Sequence, residues 1–144
     1  MKKSIAILLG LILATAGPAL RSETDEEVEA HKLVLDLTGA FSNEGFKLRD
    51  CHWAGQIKPA ERALIAVNLY AGNQYWFSAA ANTKAKKISV DLYDETGRPL
   101  VTETYNEGEK ASAGYSPTTS GQYFVAVSLL EGEPTTFCLV YSYK

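Results

Sequence analysis

A period-two alternation over residues 87–128 constrains this chain more than any other feature. Ile88, Val90 and Leu92 alternate with Ser89, Asp91 and Tyr93, and Asp94-Glu95-Thr96-Gly97 follows as a turn. A second run lies at residues 100–105. After a polar loop, Ser120-Gly121-Gln122 leads into a third run at 123–129, again with period two. Successive side chains of a strand point to opposite faces, so this pattern suits a sheet with one face on a core and one in water. The expectation is an antiparallel β-sheet.

The rest of the chain supplies more short strands and one helix. Thr24-Asp25-Glu26-Glu27 resembles a helix start, with a capping threonine, a glutamate three residues on and acidic groups at the positive end of the helix dipole. Ala30, Leu33, Val34, Leu37, Ala40 and Phe41 then recur at spacings of three and four, and Gly45 offers a stop. The spacing predicts a helix over 24–42. Leu33, Leu35 and Leu37 also alternate, so a strand at 32–37 is the competing reading. Beyond it, 46–53 reads as extended, Ala63, Ile65, Val67 and Leu69 as a strand, and Tyr75, Phe77 and Ala79 as the next. Residues 106–119 read as a polar loop with at most a short strand. Phe137, Leu139, Tyr141 and Tyr143 share a face of the last strand. Many short strands divided by turns point to a two-layer sandwich over 46–144.

The first residues read as an address rather than as structure. Lys2 and Lys3 are followed by an apolar run over 5–13 and by Ala14-Thr15-Ala16, small residues at the spacing a signal peptidase reads. A signal peptide over 1–16 is expected, with cleavage at 19 as the second choice. The alternative is a membrane anchor, but the run is shorter than the roughly 20 residues a span needs. A signal of this kind implies a bacterial periplasmic or secreted protein. Loss of the two lysines takes the formal net charge of −3 to −5. An acidic surface argues against nucleic acid and anionic membranes as partners, because both need a basic patch.

Three motifs carry a family resemblance. They are Val67-Asn68-Leu69-Tyr70-Ala71-Gly72-Asn73-Gln74-Tyr75-Trp76-Phe77, Val90-Asp91-Leu92-Tyr93-Asp94-Glu95-Thr96-Gly97, and Pro117-Thr118-Thr119-Ser120-Gly121-Gln122-Tyr123-Phe124-Val125-Ala126-Val127. In this order they resemble the opening strand, the central strand and turn, and the closing strand of bacterial pre-peptidase C-terminal (PPC) domains, over roughly 60–144. The resemblance implies a mainly β fold, a jelly-roll-like antiparallel β-sandwich, here with one N-terminal α-helix. It also implies a non-catalytic accessory role in an exported protein. Relatives often carry acidic residues just before the central strand, where this chain has Lys84, Lys86 and Lys87.

Chemistry-bearing residues are few. Cys51 and Cys138 can form a disulfide in an oxidising compartment, contributing about 4 kcal/mol by the chain-entropy model. Two buried free thiols are the alternative. His52 adjoins Cys51, but neighbours on a strand face opposite ways and cannot easily act together. Gly114-Tyr115-Ser116-Pro117-Thr118 departs from a nucleophile elbow at its last position. No catalytic residue and no cofactor is expected. Asp91 and Asp94 are the nearest approach to a cation site, though solvated or turn-capping carboxylates are the default. Trp53, Tyr70, Trp76, Tyr93 and Tyr115 form a candidate aromatic platform, with core packing as the competing explanation. The functional expectation is an exported binding module that contacts a protein partner. The alternative is a carbohydrate- or cell-wall-binding module using surface aromatics.

Overall fold

The computed structural model describes residues 23–49 and 53–144. The expected export signal lies outside these residues, as do Cys51 and His52.

Helix α1 (Asp25–Ser42) begins where Thr24 turns extended and its Oγ1 accepts from the Glu27 N–H at 3.2 Å. That bond satisfies one of the donors a helix start leaves open. The helix buries Ala30, Val34 and Thr38. Ala40, expected on the same face, is exposed. A helix lying across one sheet covers only the residues over its line of contact.

The strands are β1 (Lys47–Leu48), β2 (Trp53–Ile57), β3 (Arg62–Leu69), β4 (Tyr75–Ala81), β5 (Ala85–Asp94), β6 (Glu103–Glu107), β7 (Lys110–Tyr115), β8 (Gly121–Gly132) and β9 (Thr135–Tyr143). They form two antiparallel sheets. The larger runs β1–β9–β4–β7–β6, with β2 also paired to β9, and the smaller runs β3–β8–β5. The described residues form a β-sandwich with one helix.

Alternation sorts the side chains into layers. Phe77 and Ala79 of β4, Leu139 of β9 and Ala111 and Ala113 of β7 face Ile88, Val90 and Leu92 of β5 and Val125 and Val127 of β8 across the core. Each fully buried Phe, Leu, Ile or Val side chain there contributes about 1.5–3 kcal/mol. The opposite face of the larger sheet meets the helix, where Ala80, Cys138 and Val140 pack on Ala30 and Val34. Layer order is therefore helix, large sheet, small sheet.

The stretch 106–119 departs from the expected loop. It holds the β6–β7 hairpin, and β7 sits inside the large sheet between β4 and β6. Its small residues hid it, because strand propensity favours bulky branched and aromatic side chains. Small residues are what the position needs. Ala111 and Ala113 are fully buried in the core, and Ser112 Oγ shares a 2.8 Å hydrogen bond with Ser78 Oγ below the helix. Gly114 lies against the Trp76 indole, where an added Cβ would stand 2.9 Å from a ring carbon. The run at 100–105 is also shifted. Strand β6 starts at Glu103, and Leu100 instead donates its N–H to the Leu92 carbonyl at 2.9 Å.

Candidate functional site

The open side of the sandwich lies where β3, an edge of the small sheet, faces β2 and β9 of the large one. A cleft of about 460 Å³ opens there. Its rings come from sequence-distant places: Trp53 from β2, Tyr70 from the turn after β3, Tyr75 from β4, and Tyr141 and Tyr143 from β9. Antiparallel pairing gathers them. Trp53 sits opposite Leu139, and Tyr75 opposite Tyr143. Trp53 and Tyr141 are stacked at 5.9 Å with 21° between planes, and Tyr75 tilts against Tyr141 at 6.2 Å.

Hydrogen bonds hold this geometry. Tyr75 Oη accepts from the Tyr70 N–H at 2.9 Å and from Asn73 Nδ2 at 3.1 Å. The 70–73 turn is thereby tied to the cleft floor, and the Ala71 N–H adds a 2.8 Å bond to Ser120 Oγ. Tyr70 itself is 63% exposed, so its ring is free to meet a ligand. Arg49 is placed at the rim by its N–H bond to the Tyr141 carbonyl, 3.0 Å. It is the one charged residue among the described residues lining the cleft, and Asn68 and Asn73 are the amides. Flat apolar surface, amide groups and one cation are groups that can stack on and hydrogen-bond another molecule.

The other aromatic candidates lie elsewhere. Trp76 stacks on Phe41 of the helix at 4.7 Å and 15°, on the outer side of the large sheet. Tyr93 lies on the outer face of the small sheet, with the Arg62 guanidinium 5.2 Å above its ring and Nη1 donating to its hydroxyl at 3.0 Å. Tyr115 tilts against Tyr123 at 5.8 Å. Trp76 and Tyr115 border a second open depression of about 430 Å³, but Trp76 reaches it with one ring face already covered. Of the platform residues, only Trp53 and Tyr70 share the cleft beside β3. Arg49, Tyr141 and Tyr143 join them although nothing in their sequence context singles them out for binding. Tyr141 and Tyr143 read as ordinary core positions, and only their place at an open sandwich edge changes that.

Asp91 and Asp94 belong to different faces of β5. Asp91 accepts from Ser89 Oγ at 3.3 Å. Asp94 Oδ1 accepts from the Thr96 hydroxyl at 2.6 Å, the Thr96 N–H at 2.9 Å and the Arg98 N–H at 3.0 Å. The Thr96 hydroxyl bond, ahead of the Arg98 N–H bond, holds the Asp94 carboxyl below its usual range. The residue caps its own turn, which Gly97 completes at φ 84°. Among the described residues no three His, Cys, Asp or Glu side chains gather as a metal site requires. Among the described residues Cys138 is a buried thiol beneath the helix with no disulfide partner, and its expected partner Cys51 lies outside them. Burial first, and then the charges of Glu23 and Glu27, push the Cys138 thiol up to about 12. Such a thiol is inert toward nucleophilic chemistry.

Compared with known proteins, the chain matches no protein-family model and no curated sequence. Among the described residues no helix is long and apolar enough to cross a membrane.

Proposed function

We propose that the protein is an exported, non-catalytic binding module that contacts a protein partner through the cleft between β3 and β2–β9. The observation that carries this reading is the concentration of Trp53, Tyr70, Tyr141 and Tyr143 at one open edge of the sandwich. Aromatic side chains at a rim give large contact area for little conformational entropy. The signal-like first residues support export, and the three strand motifs support kinship with the accessory PPC domains. The test is affinity capture by mature protein, begun at Gly17, from envelope and culture fractions of its own source, run beside a Trp53→Ala/Tyr70→Ala variant. One stoichiometric protein held by the wild type and lost by the variant is expected. Capture indifferent to the variant overturns the reading.

A second reading rests on the near-parallel Trp53–Tyr141 pair beside the amides of Asn68 and Asn73. Ring faces flanked by amides also suit a glycan chain. Recovery of cell-wall polysaccharide alone by the same capture would establish that reading instead.

A further inference from the structure

The backbone of β3 adds something the rings do not show. The Leu100 N–H donates to the Leu92 carbonyl and the Asp94 N–H to the Arg98 carbonyl, so the backbone groups of Leu92 and Asp94 point away from β8. In an antiparallel ladder, residues alternate between facing a partner strand and facing away from it. Asp91 and Tyr93 therefore bond β8 at their opposite numbers Ala126 and Phe124. Alternation along β8 leaves Val125 and Val127 to bond β3 at Ile65 and Ala63. The N–H and C=O groups of Arg62, Leu64, Ala66 and Asn68 then face the other way, toward the open edge. An independent bond agrees: the Tyr70 N–H, next in the same series, points into the cleft at Tyr75 Oη. Among the described residues, β3 pairs with β8 alone.

Among the described residues this edge lacks the usual protection. Its eight residues, Arg62-Ala63-Leu64-Ile65-Ala66-Val67-Asn68-Leu69, carry one charge, at the first position, and no proline. Natural edges are commonly blunted by inward-pointing charges, lysine or proline, and an unblunted edge is a template for another strand. On one side of it lie the rings of the cleft. On the other is Leu64, 57% exposed.

We infer that the cleft takes its partner as an added β-strand: an extended peptide segment of another protein, hydrogen-bonded to β3 at Leu64, Ala66 and Asn68. This rests on the binding-module reading and specifies its mode. Alternate side chains of the added strand would fall on the Trp53 and Tyr141 rings and beside Leu64, so both sets should be apolar or aromatic. Arg49 stands at the rim of the cleft, with no carboxylate among the described cleft-lining residues. Charge complementarity then asks for an acidic residue in the segment.

The test is selection of displayed random dodecapeptides on the immobilised mature protein, followed by affinity measurements with the enriched peptides in synthetic form. Alternating apolar sequences with an Asp or Glu are expected. Ala66→Pro is the discriminating variant, because the Ala66 N–H faces the open edge and its loss removes no bond of the β3–β8 ladder. Binding should weaken at least tenfold on Ala66→Pro, and equally when alternate peptide nitrogens of the ligand are methylated. The methylated peptides keep the test decisive should the variant fold poorly. Amide exchange at Leu64, Ala66 and Asn68 should slow at least tenfold on peptide binding. Peptides that bind Ala66→Pro and tolerate methylation, yet fail on Trp53→Ala/Tyr70→Ala, would overturn strand addition and leave the cleft as the binding site. Enrichment of no peptide, or of peptides indifferent to every one of these changes, would overturn both.

Discussion

Gly114→Ala should destabilise the fold although alanine is the better strand residue. An ideal Cβ at Gly114 would lie 2.9 Å from Trp76 Cζ2 and 3.0 Å from both Cε2 and Cη2. Real carbon contacts do not come that close, so the indole must move. It has little room, because Phe41 is stacked on it at 4.7 Å. Overpacking of this kind costs about 1–3 kcal/mol. For a chain of this size that lowers the melting temperature by about 4–12 °C. The cause is isolated by repeating the substitution in a Trp76→Ala background, both variants being unfolded in urea. With the indole gone the clash is gone, and Gly114→Ala should become neutral or stabilise by about 0.4–1 kcal/mol through the stiffer unfolded chain. A penalty that persists without Trp76 would refute the reasoning, as would a single variant within 0.5 kcal/mol of wild type.

Other expectations follow from particular bonds. Ser142 Oγ is buried with no hydrogen-bond partner among the described residues, so Ser142→Ala should be neutral or stabilising, whereas Ser78→Ala strands the buried Ser112 hydroxyl and should cost about 1–3 kcal/mol in urea unfolding. The Asp94 carboxyl has a lowered pKa, so its contribution is fully present above the unfolded carboxylate value and is lost as pH falls through the lower folded value. The Thr96 and Arg98 amide resonances should therefore shift only below about pH 4, and not at all in Asp94→Asn. In a Cys51→Ser background, Cys138 should resist a thiol reagent at pH 8 while the protein is folded, and Val34→Ala, which thins the helix contact, should speed its labelling at least tenfold.

What was legible in the sequence was local. Ile88, Val90 and Leu92 announce β5 by alternation, Asp94 and Gly97 announce its turn, and Thr24 announces the helix start. Strand β7 was not legible, because Ala111, Ala113 and Gly114 are chosen for close approach to a core and an indole rather than for strand propensity. The cleft was half legible. Trp53 and Tyr70 stood out as aromatic residues, but their meeting with Arg49, Tyr141 and Tyr143 depends on β9 pairing back onto the first strands, about ninety residues away in sequence. The open edge of β3 depends on something no composition records, namely which side of a strand each peptide group faces.

Amide hydrogen exchange of the protein begun at Gly17, alone and saturated with the partner recovered by affinity capture, tests the binding claim most directly. The expected result is new protection at Leu64, Ala66 and Asn68 and around Trp53 and Tyr141, with the helix and the outer face of the small sheet unchanged. Protection centred on Tyr93 and Phe124, or along α1, with the cleft unchanged, would contradict it.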